Sequence, residues 1–217
     1  MSKAFTKIGR EIAIAVKLGG PDPTSNPRLR IVIANAKGVN MPKDRVDAAI
    51  KRATSKDEGT FEELVYEAYG PHGVPMVIEC ATDNPTRTVA NVRMHLTRHG
   101  GQLATTGSLD FMFNRKGVFR IPKEGQNLEE LELELIDFGA EDIQLEEEEI
   151  VIYTSFADFA GMSKALEEKG IHANSSKIQR IPTTMKSLGE EQVDEVLELV
   201  DDLEEDDDVQ AVYHNLE

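Results

Sequence analysis

The chain ends on one amphipathic helix, Gly189 to Glu205, and one strand, Val209 to Tyr213. These two elements cannot close a core by themselves. A lone strand leaves its backbone N–H and C=O groups unpaired and needs a sheet built elsewhere in the chain. The stretch just before, 117–182, has no vacancy, because it spells a complete pattern. Val118–Ile121 reads as a strand, and Asn127–Phe138 as a helix with Leu128, Leu131, Leu135 and Phe138 inward. Asp142–Leu145 and Ile150–Tyr153 read as a hairpin around Glu146–Glu149, Phe156–Lys169 as a helix and Lys177–Ile181 as a last strand. That order, β-α-β-β-α-β, is the split βαβ or ferredoxin-like module.

Further upstream a vacancy exists. Leu64–Tyr69 and Val74–Ala81 read as strands around the turn Gly70–Gly73. Asp83-Asn84-Pro85 starts a helix that Gly100-Gly101 stops, and Leu109–Phe113 alternates as a strand. This set lacks a second helix and a closing strand, which the C-terminus supplies. Ahead of it, Phe5, Ile8, Ile12 and Val16 recur at helical spacing over 4–18. Arg28–Lys37 and a segment opening at Pro42 add two more short amphipathic helices. Ser55–Gly59 reads as a linker. The expected class is therefore α+β: a three-helix domain over 1–59, a discontinuous ferredoxin-like α/β sandwich over 60–116 with 184–217, and an inserted ferredoxin-like domain over 117–183.

Charge is distributed as unevenly as the folds. The net charge is −16 over 217 residues. Residues 1–60 hold 12 Lys/Arg against 6 Asp/Glu, while residues 121–217 hold 6 against 28. A polyanion is drawn to the first segment and repelled by the last. No apolar run approaches the ~18–20 residues of a membrane span, and the first residues lack a signal-peptide core. The single cysteine, Cys80, excludes an internal disulfide and reads as core in an apolar strand. The expected compartment is the cytoplasm.

The strongest local motif is Thr82-Asp83-Asn84-Pro85-Thr86-Arg87-Thr88, between a strand and a helix. Backbone N–H groups at a helix start attract anions. A cation is mildly disfavoured in that first turn, so Arg87 there points to an anionic ligand such as phosphate, or else to a pairing with a nearby carboxylate. The candidate phosphate contacts are Lys7, Arg10, Arg28, Arg30, Lys43, Lys51, Arg52, Arg87 and Arg93. His95 and His99, four apart on a helix, read as surface histidines rather than metal ligands, because no third ligand is evident. Asp206-Asp207-Asp208 reads as a solvated turn rather than a Mg²⁺ site. No phosphate-binding glycine loop, dinucleotide fingerprint or nucleophile elbow is present. No cofactor, metal, membrane or small-molecule substrate is expected, and no enzyme.

The stretches Gly20-Pro21-Asp22-Pro23, Asn40-Met41-Pro42-Lys43-Asp44, Ala49-Ile50-Lys51-Arg52, Tyr66-Glu67-Ala68-Tyr69-Gly70-Pro71, Thr82–Thr88, Gly107-Ser108-Leu109 and Asp207–Asn215 together resemble the YebC family. The resemblance covers essentially the whole chain. It implies three domains, a helical one and two α/β ones, the middle one discontinuous, with no catalytic residues. It also implies a DNA-binding regulator of transcription or, alternatively, a translational activator that contacts ribosomal RNA and helps ribosomes through stretches such as consecutive prolines. Members usually carry a longer basic segment ahead of the first helix, so fewer cations are expected at this end. A protein-interaction module built on the acidic half is the third expectation.

Overall fold

The computed structural model describes residues 3–56 and 59–217. Part of the expected linker, residues 57 and 58, lies outside the described residues. The chain is α+β, with three helices followed by two antiparallel four-stranded sheets.

The helices are α1 (Lys3–Gly19), α2 (Pro27–Gly38) and α3 (Lys43–Ala53). Their apolar stripes converge on Ile12, Leu29 and Ala36, all fully buried. Each Ile or Leu taken wholly out of water contributes about 1.5–3 kcal/mol. Asn26 sets the α1–α2 corner. Its side-chain oxygen accepts the Leu29 N–H at 3.1 Å, capping α2, and its amide nitrogen donates to Ala15 O and Gly20 O at 2.8 Å each.

The first sheet takes β1 (Glu62–Tyr69), β2 (Pro75–Thr82), β3 (Gln102–Leu103) and, from the far end of the chain, β8 (Val209–His214), in the order β3-β1-β2-β8. The terminal strand thus pairs with β2. Helices α4 (Pro85–Arg98) and α7 (Glu190–Glu205) cover one face, where Met76, Ile78, Leu96, Leu199 and Leu203 are fully buried.

The second sheet is β5 (Ala140–Leu145), β6 (Glu149–Ser155), β4 (Phe113–Pro122) and β7 (Ser175–Pro182), in that order. This is the strand order of the split βαβ module. Helices α5 (Leu128–Ile136) and α6 (Phe159–Glu168) pack on the face that holds Phe119, Ile121, Ile150 and Ile152. The first sheet has the same up-and-down alternation but another connection, because its hairpin β1–β2 lies at the centre and its last strand arrives after the whole second sheet.

Two details differ from the sequence reading. Leu109–Phe113 is not a strand. Leu109 is buried, Asp110–Met112 forms a 3₁₀ turn, and Phe111 is 77% exposed. The strand begins at Phe113 and runs on through the expected Val118–Ile121 segment. The short β3 carries too few residues to show a period. Among the described residues, no helix is long and apolar enough to cross a membrane.

The helical unit is fastened to both sheets. Asn35 on α2 is buried and exchanges two hydrogen bonds with the backbone of Ser176 on β7, donating to its carbonyl at 2.9 Å and accepting its N–H at 2.8 Å. A side-chain amide thereby takes the place of a neighbouring strand. Gly38 sits so close to Asn174 that a Cβ there would overlap the Asn174 carbonyl. The two sheets are joined by Arg180 on β7, which donates to Glu79 on β2 at 2.8 Å.

Candidate nucleic-acid interface

The start of α4 folds as its sequence dictates. Pro85 occupies the first turn, and the Asn84 side chain accepts the Arg87 N–H at 3.1 Å. The anion expected beside Arg87 is present, and the chain itself supplies it. Asp208, just ahead of β8, is 2% exposed. Its carboxylate accepts from Arg87 Nη2 at 2.9 Å, from Arg87 Nε at 3.1 Å, from Thr88 Oγ at 2.8 Å and from Arg10 Nη1 at 2.6 Å. Burial by itself would raise the Asp208 pKa; the hydrogen bonds from Arg10, Arg87 and Thr88 overcome it and hold the carboxyl below the usual range. Arg87's own bonds to Asp208, with one to Asp83, push its pKa up.

Arg10 comes from α1, so the carboxylate ties the helical unit to the first sheet. Arg10 also donates to Ala81 O at 2.5 Å, and its guanidinium lies 5.2 Å from the centre of the Phe61 ring. Its side chain is 14% exposed. An open cleft of about 460 Å³ lies here, lined by Arg10, Phe61, Asp83, Arg87 and Glu205–Asp208. Two cations face five carboxylates in it, so an approaching phosphate is repelled. Arg10 and Arg87 both bond Asp208, with side chains 14% and 45% exposed. The solvated turn expected over Asp206–Asp208 is corrected. Asp207 alone is exposed, and Asp206 accepts from Asn91 on α4 at 2.8 Å.

The other candidates divide. Lys7 is half-buried, and burial lowers its pKa although Glu204 opposes the effect. Arg28 pairs with Glu63 at 2.5 Å. Arg30 donates to the carbonyls of Pro23 and Thr24 at 2.9 and 3.2 Å and lies 3.9 Å from Glu167. Lys43 and Lys51 on α3 and Arg93 on α4 are exposed and hold no ion pair among the described residues. Arg52 is exposed beside Lys51, and Arg45, one face of α3 further round, lies 5.9 Å over the Phe5 ring. Seven residues separate Arg45 from Arg52, about 10 Å along the helix, so the two share a side. The structure therefore leaves the α3 cations exposed in two pairs, Arg45 with Arg52 and Lys43 with Lys51, with Asp44 and Asp47 exposed between them.

Of the two residues that hold the units together, sequence reasoning missed Asn35 and read Asp208 only as part of a solvated turn. No local signal marks either, because their partners are distant in the chain. The remaining motifs have structural roles. Cys80 is buried and its thiol is pushed up to about 12 by desolvation. His99 Nε2 meets Asp202 on α7 at 2.7 Å and holds that carboxyl below its ordinary range.

Comparison with known proteins agrees with this architecture. The sequence matches the TACO1/YebC protein N-terminal domain over residues 1–56 and the TACO1/YebC second and third domain over residues 61–216. A "Probable transcriptional regulatory protein" of Cytophaga hutchinsonii is 56% identical over 216 residues, covering 100% of this chain and 91% of its own. Its namesake from Myxococcus xanthus is 51% identical, covering 100% and 92%. A crystal structure of a conserved hypothetical protein from Aquifex aeolicus superposes with a TM-score of 0.87 at 40% identity, over 99% of this chain and 89% of that one. By sequence and by fold, the chain belongs to the TACO1/YebC family.

Proposed function

We propose that this chain is a non-enzymatic, cytoplasmic regulator of gene expression that binds DNA through its helical unit. The single observation that carries the reading is α3, whose Lys43, Arg45, Lys51 and Arg52 stand exposed on a molecule of net charge −16. Residues 1–59 act as the nucleic-acid-facing unit. Residues 60–112 with 184–217 form the body, and 113–183, from the start of β4, the inserted arm. The names of the relatives support the regulatory reading. The acidic surface of α7 and the inserted arm repels phosphates and so fixes which side of the molecule approaches them. Arg28, Arg30 and Arg93 flank the approach, and Lys7, Arg10 and Arg87 support it from within.

Filter-binding titrations of duplex DNA and of ribosomal RNA across a salt series test the proposal. Each phosphate neutralised adds about −0.9 to the slope of log K against log salt for duplex DNA. Tighter, salt-steeper binding to DNA supports it. A slope near zero for both polymers ends it, and a clear preference for ribosomal RNA replaces DNA-binding with action on the ribosome.

A further inference from the structure

We propose that the open edge of the second sheet, strand β5 beside α5, docks an extended cationic segment of a partner protein as an added strand. The other long edge of this sheet is closed. The β7 edge is covered by α2, with Asn35 bonded to the Ser176 backbone. In the first sheet, β3 is only two residues long and β8 lies beside β7. Strand β5 is six residues long, terminal in its sheet, and carries no such cover among the described residues. An uncovered edge presents a row of backbone donors and acceptors, and peptide ligands commonly pair with such rows.

Edges kept free of partners are blunted with charge and show few apolar side chains. This one has both charge and apolar surface. Leu133 and Ile136 on α5 are 73% and 60% exposed, and Leu145 at the end of β5 is also exposed. Leu128, Leu131 and Leu135 turn α5 toward the core, which leaves Leu133 and Ile136 on its outer side. Leu145 pairs with Ile150, so it projects from the same sheet face that α5 covers. Leu145 thus stands on the edge strand itself, and Leu133 and Ile136 on the solvent side of the helix that covers this sheet.

Charge identifies the occupant. Residues 128–149 contain eleven Asp/Glu and no Lys or Arg. Some of these acids are satisfied from outside the segment, as Glu134 is by Lys169 and Glu146 by Arg120. Glu129, Glu132 and Asp142 hold no ion pair among the described residues. Nucleic acid is excluded from such a surface, and so is a second copy of the same acidic edge. A segment alternating lysine or arginine with apolar residues fits both the period-2 pattern of an added strand and the sign of the field. The inference is independent of the nucleic-acid reading, which concerns α3.

The test titrates the full chain into a fluorescein-labelled octapeptide of alternating lysine and valine, read by fluorescence anisotropy. Controls are the same peptide N-methylated at every second residue in either register, and a glutamate–valine octapeptide. The Leu133→Lys/Ile136→Lys double variant changes exposed positions only and leaves the core intact. The lysine–valine peptide is expected to bind at least about tenfold tighter than the glutamate–valine peptide and the more weakly bound methylated form, as lost charge complementarity and lost backbone pairing require. The double variant is expected to weaken it by about tenfold, and amide exchange in β5 to slow when the peptide is bound. Absence of binding, equal binding of methylated and unmethylated peptides, or indifference to the double variant overturns the proposal. A self-associating chain that the double variant converts to monomer in sedimentation overturns it too, in favour of a second copy as the occupant.

Discussion

Arg10 and Arg87 on one side, and Lys43 and Lys51 on the other, carry the same charge and read alike in the sequence. The arginines converge on one buried carboxylate, where they hold three parts of the chain together. The lysines stand in water on one short helix with no ion pair among the described residues. The contrast teaches that a cation's sign is written locally whereas its destination is set by what the fold brings beside it. Near a helix start, a carboxylate from elsewhere in the chain takes the guanidinium and hydroxyl that a phosphate would take.

The largest effect expected to expose this difference comes from Asp208→Ala. Removing one partner from a buried pair leaves uncompensated charge, at a cost of about 3–5 kcal/mol. A clear drop of the urea midpoint is expected, whereas Lys43→Ala and Lys51→Ala should leave the midpoint within about 0.5 kcal/mol. Equal midpoints for Asp208→Ala and the lysine variants would erase the distinction.

Asn35→Ala should cost a comparable amount, about 2–6 kcal/mol. It leaves a buried N–H and a buried carbonyl of Ser176 unpaired, each worth about 1–3 kcal/mol. Faster amide exchange at Ser176, with the first sheet unchanged, is the expected signature.

Acid sharpens the comparison further. Asp208 and Asp202 have carboxyls held below their ordinary range in the folded chain. Their stabilisation is fully present above the unfolded carboxylate value, about 3.9, and is lost as pH falls through the lower folded values. Thermal midpoints should therefore decline below about pH 4, and less steeply in Asp208→Asn. Glu11 is the opposite case. Burial raises its pKa, so its ionised form costs stability above the unfolded carboxylate value. Glu11→Gln should stabilise the fold at pH 7 by less than about 1 kcal/mol, seen as a slightly higher thermal midpoint.

The smallest change in stability, and the most telling for binding, comes from the Lys43→Ala/Lys51→Ala pair. Two lost phosphate contacts should flatten the log–log salt slope on duplex DNA by about 2 and weaken binding a few-fold across sequences. An unchanged slope would remove α3 from the interface.

Much of the fold was legible because it is periodic or because it is compulsory. The helical stripes of α1 to α3 follow from the spacing of residues such as Ile8, Ile12 and Val16. The pairing of β8 with β2 follows because an orphan strand must find a sheet. Leu109–Phe113 misled because Leu109, Phe111 and Phe113 alternate in type, whereas a 3₁₀ turn sends Phe111 into solvent and buries the other two. The site was half legible. Helix-start chemistry foretold an anion beside Arg87 but not its origin, since Asp208 lies 121 residues further on. Nothing in the composition of α2 distinguishes Asn35, whose partner is 141 residues away.

The placement of β8 also sets a timetable for the newborn chain. Translation at about 5–20 residues per second takes several seconds to pass from β3 to Asp208. During that interval α1 and α4 have been made while their shared carboxylate has not. Arg10 and Arg87 then wait as loose positive charges beside an incomplete sheet. The two arginines are gathered only once residue 208 is made, so a chain still short of it differs in charge at this corner from one that carries it.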